Sequence, residues 1–347
     1  MSSASEDSSN IPQEPGNGGG FLDQTLRPSG WDEYVGQEAL KRNLSVLIEA
    51  ARERKHPPEH LLFYGPPGLG KTTLAHLIAH ELGAQMKQTS GPAIEKIGDL
   101  AALLTNLSQN DILFIDEIHR LPKAIEEVLY PAMESGVLDI IIGKGPSART
   151  VQLPLPPFTL IAATTQLAQV SSPLRSRFSG GVFHLEFYSA DDIAKILTRS
   201  AKILGVPSEP AAIKEIARRS RATPRTANYL LKRARDVAQL KRSQLTKELV
   251  DEALLMLEID ELGLTPADRR ILEALITRFK GGPVGVGAIA ASLGEEQSAI
   301  SDVHEPYLLQ LGLIERTPRG RTATLSAYKH LGHEPPLDSE AVQKPLL

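Results

Sequence analysis

Gly65-Pro66-Pro67-Gly68-Leu69-Gly70-Lys71-Thr72 has the spacing of a phosphate-binding loop, G-x-x-x-x-G-K-[ST]. It stands between a short apolar run at residues 60–64, which reads as a buried strand, and an amphipathic stretch at 71–82, which reads as a helix. In that setting the backbone N–H groups of Gly68, Gly70 and Lys71 can converge on phosphate oxygens at the positive end of the helix. Glycine suits the loop because a side chain would block so close an approach. Lys71 would bridge the outer phosphates and the Thr72 hydroxyl would bind Mg²⁺. A chance glycine turn would not need both a strand before it and a helix after it.

Downstream, Leu113-Phe114-Ile115-Asp116-Glu117 is an apolar run closed by two acids. Many strands end in a charged turn, so alone this says little. After a phosphate loop, Asp116 is placed to hold Mg²⁺, usually through water, and Glu117 to polarise an attacking water. A third strand over 158–163 runs into Thr164-Thr165, whose hydroxyls could sense a γ-phosphate or simply close the strand. Pro173-Leu174-Arg175-Ser176-Arg177-Phe178 offers two arginines just beyond the sheet, and Thr223-Pro224-Arg225 opens a later helix. An arginine projected across a subunit boundary can stabilise charge on a transferring phosphoryl group. By pattern alone these arginines read equally well as solvated surface charge.

Around these motifs the chain divides by pattern. Residues 1–20 and 333–347 are polar and Gly- or Pro-rich and read as flexible tails. Residues 21–188 alternate apolar runs with amphipathic stretches, which predicts a parallel sheet with helices on both faces. Inside that region, residues 138–142 and 150–153 flank Gly143-Lys144-Gly145-Pro146-Ser147-Ala148, a hairpin signal with a loop long enough to protrude. Residues 189–260 read as helices only, at 191–204, 211–220, 225–240 and 246–257, with Asp191 and Thr246 as N-caps. Residues 261–332 open on a helix N-terminus at Thr265-Pro266-Ala267-Asp268 and continue with helices near 286–293 and 298–311. They end in a short ribbon around Arg316-Thr317-Pro318-Arg319-Gly320-Arg321, the outline of a winged helix. The fold class expected is therefore an α/β P-loop NTPase followed by a small all-α lid and a C-terminal winged helix.

Composition narrows the setting. Across 347 residues, 41% apolar and 23% charged content is ordinary for a globular protein with two or three cores. No apolar run is long enough for a membrane span, and the N-terminus lacks a secretory pattern. The absence of cysteine excludes disulfides and thiolate metal sites. A net charge of −4 means that any nucleic-acid contact must come from a local basic patch.

The order of these elements resembles the AAA+ ATPases and, in detail, the RuvB family of bacterial Holliday-junction branch-migration motors. The similar stretches run from Leu26-Arg27-Pro28 and Tyr34-Val35-Gly36-Gln37 through the motifs above to His304-Glu305-Pro306-Tyr307-Leu308 and residues 316–321. They cover nearly everything between residues 22 and 332. The phosphate loop is shared by very many ATPases; its combination with Glu305-Pro306-Tyr307 and the arginine-rich ribbon is far more specific. The resemblance implies ATP and Mg²⁺ as cofactors, with Gly65, Gly68, Gly70, Lys71, Thr72 and Thr73 on the phosphates. It implies that Leu26, Arg27 and Tyr188 line the adenine pocket, that Thr165 with Thr164 beside it forms a first sensor, and that Arg225 forms a second. It makes Arg177, ahead of Arg175, the trans-acting finger, and sets Glu134, Ser135 and Gly136 near nucleotide at a subunit interface. Arg316, Arg319 and Arg321 would meet DNA phosphates, independently of sequence. The hairpin between Leu138 and Leu153 would dock RuvA, with RuvC a further candidate partner, in a homohexamer acting on duplex and Holliday-junction DNA in recombination and SOS-linked repair. The bacterial cytoplasm is the compartment implied. Three departures stand out: an extra residue within Ser179-Gly180-Gly181-Val182, and Ala162 and Ala222 where the family carries glycine.

Two other readings fit parts of the chain. A clamp-loader-like switch would typically carry a Ser-Arg-Cys motif, which is absent. A sequence-reading transcription regulator would need a recognition helix rich in Arg, Asn and Gln. The helix over 298–311 instead carries Ser301, Asp302, Glu305 and Gln310, with no Arg or Lys.

Overall fold

The computed structural model describes residues 24–142 and 149–335. The tail expected over 1–20, most of the one expected over 333–347, and the hairpin loop at 143–148 lie outside the described residues.

A five-stranded parallel sheet forms the centre, in the order β2 (Met86–Ser90), β3 (Ile112–Asp116), β6 (Thr159–Thr164), β1 (Leu61–Tyr64) and β7 (Gly181–His184). Alternation along each strand explains why both faces are covered. Leu61 and Phe63 of β1, Ile112 and Phe114 of β3, and Ile161 and Ala163 of β6 join one apolar cluster. Their neighbours Leu62, Leu113, Ile115, Leu160 and Ala162 join the other. Helices α1 (Glu38–Arg54) and α2 (Lys71–Leu82) bury their apolar stripes in the first cluster. Helices α3 (Ile97–Thr105) and α4 (Lys123–Ser135) bury theirs in the second.

Two strands of this sheet escape the sequence reading, which finds three of its five. The edge strand β2 is Met-Lys-Gln-Thr-Ser and half exposed, so it has no apolar run to betray it. The other edge strand, β7, starts on Gly181 directly after Gly180. A Cβ at Gly180 would lie 2.8 Å from the Glu59 carbonyl oxygen, so glycine alone lets β7 come in beside β1. Ala162, the second departure, is fully buried in ordinary β6 backbone between Leu62 and Ile115.

The hairpin forms its own two-stranded sheet from β4 (Val137–Ile142) and β5 (Arg149–Pro154), paired from Val137–Pro154 to Ile142–Arg149. It leaves the end of α4 through Gly136, whose φ of +62° ends the helix.

Beyond the short α5 (Ser172–Arg175) come the lid helices α6 (Ala190–Ile203), α7 (Pro210–Arg219), α8 (Pro224–Leu240) and α9 (Lys247–Met256). Thr246 caps α9 as expected. Asp191 does not cap α6: the Ser189 hydroxyl accepts from the Asp192 amide at 3.1 Å, and Asp191 falls inside the first turn. The shorter serine reaches the third amide, while aspartate there only complements the helix dipole.

The last unit has its own core. Helix α10 (Pro266–Glu273) opens on a capping box of Thr265 and Asp268 and is followed by α11 (Val286–Leu293). Helices α12 (Gln297–Ala299) and α13 (Glu305–Gln310) follow, joined by a π-helical turn. The ribbon β8 (Ile314–Thr317) and β9 (Gly320–Ala323) forms the wing, followed by α14 (Leu325–Leu331). This unit touches both others. Arg221 of the lid pairs with buried Asp268 and donates to the Val303 carbonyl oxygen at 2.9 Å, while Gln166 of the large unit donates to Asp302. Among the described residues, no helix is long and apolar enough to cross a membrane.

Candidate functional site

Where β1 ends, the chain turns through the phosphate loop into α2. Gly70, at φ +95°, caps the helix without any side-chain hydrogen bond. The Leu74 amide bonds the Gly70 carbonyl, so the amides of Lys71, Thr72 and Thr73 are the first-turn donors that a helix cannot satisfy itself. They border a cavity of ≈ 270 Å³, and this cradle of donors and glycines fits polyphosphate. Gly68 is required on two counts: its φ is +83°, and a Cβ would press within 3.2 Å of Arg225 Cβ and 3.5 Å of Thr223 on the lid. The lid therefore rests directly on the loop, with the Arg225 amide 3.4 Å from the Gly68 carbonyl oxygen.

Most of the expected site residues meet around this cavity: Gly68, Gly70, Lys71, Thr72 and Thr73 from the loop, and Asp116, Glu117 and Thr165 from the strand ends. Leu26, Arg27, Tyr188 and Arg225 complete its walls. Gly65 stands behind the cavity, with its amide on the Thr164 carbonyl and its carbonyl oxygen accepting from Lys71 Nζ at 2.7 Å. Lys71 also donates to the Pro66 carbonyl at 2.9 Å. Burial pushes the Lys71 pKa down to about 8; Arg225 adds to the fall, while Asp116 and Glu117 oppose it.

Asp116 Oδ1 accepts from the Glu117 amide at 2.9 Å. Glu117 itself holds φ +48°, a left-handed conformation that a β-carbon disfavours. Such strain persists where the surroundings impose it, and here it turns the second acid out of the strand line into the cavity. Its carboxylate pairs with Arg120 at 3.2 Å. Among the described residues no three acids or histidines cluster as a metal site, so a divalent ion beside Thr72 and Asp116 would complete its shell from phosphate and water. Thr165 lines the cavity, whereas the buried Thr164 hydroxyl is taken by His119 Nδ1 at 2.9 Å and the Gln166 amide at 3.0 Å. Burial holds His119 below the usual imidazole range, despite the acids nearby.

The apolar end of the cavity is built by tyrosines. Tyr188 donates to Tyr34 Oη at 3.2 Å and lies 3.4 Å from the Leu69 carbonyl oxygen; burial pushes its pKa up to about 12. Ile196 and Asn228 also face this space, and Arg199 braces it by pairing with Glu33 at 2.6 Å and donating to the Leu26 carbonyl. Sequence reasoning missed Ile196, Arg199 and Asn228, which sit inside lid helices and carry no motif of their own. Tyr34 stood in a stretch that carried the resemblance without a role.

Arg177, Glu134, Ser135 and Gly136 do not line this cavity. They gather elsewhere on the large unit, with Arg177 paired to Glu134 at 3.1 Å. On the wing, Arg316 and Arg321 share one carboxylate: Glu305, 1% exposed, takes Arg316 on Oε1 and Arg321 on Oε2, the latter at 3.0 Å. Arg321 is thus turned inward, with 18% of its side chain exposed against 57% for Arg316, and Arg319 stands exposed at the turn.

Comparison with known families covers each of the three units. Residues 26–185 match the Holliday junction DNA helicase RuvB P-loop domain, 188–260 the RuvB AAA lid domain, and 261–332 the RuvB C-terminal winged helix domain. The chain belongs to the RuvB family. Among solved structures it is similar to the Thermotoga maritima RuvB Holliday junction branch migration motor, at 47% identity and TM-score 0.83, over 90% of this chain and 100% of that one. A lysine-to-arginine variant of the same Thermotoga protein matches at 48% identity and TM-score 0.84, over 90% and 99%. As a RuvB-family protein the chain is a P-loop AAA+ ATPase that binds nucleotide, with a winged helix of the family's DNA-binding type.

Proposed function

We propose that this chain assembles as a homohexameric ring around duplex DNA and, with RuvA, drives branch migration of Holliday junctions in recombination and repair in the bacterial cytoplasm. The observation that carries the reading is a cavity holding every cis group of an ATPase, while the arginine suited to completing it lies on another surface of the same chain. A site divided in that way works between neighbours.

Within it, Lys71 holds the outer phosphates, and Thr72 and Asp116 hold Mg²⁺ partly through water. The ion screens charge on the phosphates. Glu117 orients and polarises the attacking water, Thr165 senses the γ-phosphate, and Arg225 carries the nucleotide state into the lid that already touches Gly68. Arg177 of one subunit reaches the γ-phosphate of the next, beside Glu134, Ser135 and Gly136. Leu26, Arg27 and Tyr188 hold the base. We divide the chain for these tasks into an ATPase unit at 21–188, a lid at 189–260 and a head at 261–332.

The hairpin β4–β5, paired outside the central sheet, is the RuvA docking element, and RuvC is a further partner at the junction. Arg316 and Arg319 face DNA phosphates, with Arg321 contributing its charge from behind them while it pairs with Glu305, and the absence of Arg and Lys from residues 298–311 supports backbone contact over base reading. ATP hydrolysis stimulated by duplexes of unrelated sequence tests this. Stimulation should agree within about twofold among sequences and fall steeply with salt. Stimulation by a single sequence would point to a regulator instead.

A further inference from the structure

One face of α4 carries Glu126, Tyr130 and Glu134, spaced four apart so that they line up along the helix. All three meet the segment that holds Arg177. Glu126 is 5% exposed, and its Oε2 accepts from the Tyr130 hydroxyl at 3.0 Å and the Ser171 hydroxyl at 2.6 Å. Ser171 in turn caps α5 by accepting from the Leu174 amide at 3.2 Å. A four-residue helix cannot sustain itself, so this cap, anchored on a buried carboxylate, fixes where α5 begins. One turn along α4, the ring of Tyr130 lies 4.2 Å from the Arg177 guanidinium carbon. Arg177 Nη1 donates back to the Pro173 carbonyl at 2.6 Å, and its buried Nε makes no hydrogen bond.

We propose that Tyr130 and Glu126 are positioning residues for Arg177, holding its segment and its guanidinium at the reach needed to act on a neighbouring subunit's nucleotide. The proposal rests on the reading of Arg177 as the trans-acting finger. An arginine side chain carries about 2 kcal/mol of rotamer entropy, and a ring beneath the guanidinium removes part of that before the reaction begins. The three contacts divide the work. Glu126 sets the helix start through Ser171 and the ring angle through the phenol. Tyr130 sets the plane of the guanidinium. Glu134, whose side chain is 55% exposed, is a rim contact that a closer anion can replace.

The test uses assembled rings of the full chain with duplex DNA. Tyr130→Leu keeps apolar volume but removes both ring and hydroxyl. It should lower kcat by about tenfold, a loss in keeping with a partly desolvated cation–π contact. KM for ATP, subunit number and thermal midpoint should stay as in the parent. Tyr130→Phe keeps the ring and should lose about threefold, and Glu126→Gln a similar amount, since a neutral acceptor still meets Ser171. In mixed rings, Tyr130→Leu subunits should regain hydrolysis from Lys71→Ala subunits, which lack a working site but present an intact finger. Subunits carrying both substitutions should not restore it to Tyr130→Leu neighbours.

Parent-like kcat in all three variants, with Arg177→Ala inactive, would overturn the positioning role and leave the finger reading intact. A fall of kcat only in step with ring assembly or thermal midpoint would reduce the cluster to packing and overturn the role as well. Normal hydrolysis by Arg177→Ala rings would instead remove the finger reading on which the proposal stands.

Discussion

Lys71 Nζ lies 2.7 Å from the carbonyl oxygen of Gly65, the first residue of its own loop, and that contact holds the ammonium at the floor of the nucleotide cavity. Two carbonyls solvate the charge less well than water does, so burial brings its pKa to about 8. Bound phosphate would favour the charged form and raise that value again. Nucleotide affinity should therefore be full below pH 8 and decline as pH rises through 8 towards the raised value in the complex. Titration calorimetry in buffers of different ionisation enthalpy should show proton uptake on binding at pH 8.5 and almost none at pH 6.5. Equal uptake at both values would mean that Lys71 is not the titrating group.

The wing carries a second consequence. Arg321, mostly buried, and Arg316, mostly exposed, neutralise the same buried Glu305. Removing the inner partner leaves that carboxylate half paired. Arg321→Ala should cost roughly 1–3 kcal/mol of stability, below the usual range for a broken buried pair because Arg316 remains. Arg316→Ala should cost under about 1 kcal/mol, as exposed pairs do. Both should weaken DNA binding to a similar extent across sequences. Urea unfolding and salt-dependent duplex binding of the two variants would separate stability from affinity.

Ala222 sits at φ +52° beside Arg221 at φ +56°, and its carbonyl accepts from the Tyr188 amide at 3.0 Å. Left-handed backbone costs a residue with a β-carbon about 1–2 kcal/mol, against about 0.4–1 kcal/mol gained by restricting the unfolded chain. Ala222→Gly should accordingly stabilise the protein by roughly 0.5–1 kcal/mol with nucleotide affinity unchanged. A lower midpoint in the glycine variant would show that the turn before α8 needs the restriction more than it suffers the strain.

The parts legible in the sequence were those with a local signature. The phosphate loop carries its own spacing, β3 and β6 are built on apolar runs, and Thr246 and Thr265 cap their helices where short polar side chains precede an amphipathic pattern. The phosphate and metal side of the cavity followed from those motifs because each lies at a strand end or helix start, and a parallel sheet brings such ends together, whereas Leu26, Arg27 and Tyr188 were reached only through the family resemblance. What stayed hidden depends on tertiary neighbours. Met86–Ser90 is a strand because β3 pairs with it, not because of its composition. Arg321 reads as one more exposed wing arginine until Glu305, an acid on a neighbouring helix, proves to be buried beneath it. Tyr130 carries no motif of its own, and only the fold sets it under Arg177.

A synthetic four-way junction, labelled on one arm and incubated with the chain, RuvA, Mg²⁺ and ATP, tests the motor reading most directly. Conversion to duplex products should require ATP and RuvA, proceed on junctions of unrelated sequence, and vanish with Lys71→Ala and Glu117→Gln. Conversion that continues without hydrolysable nucleotide, or none while the assembled chain hydrolyses ATP on duplex DNA, would contradict it.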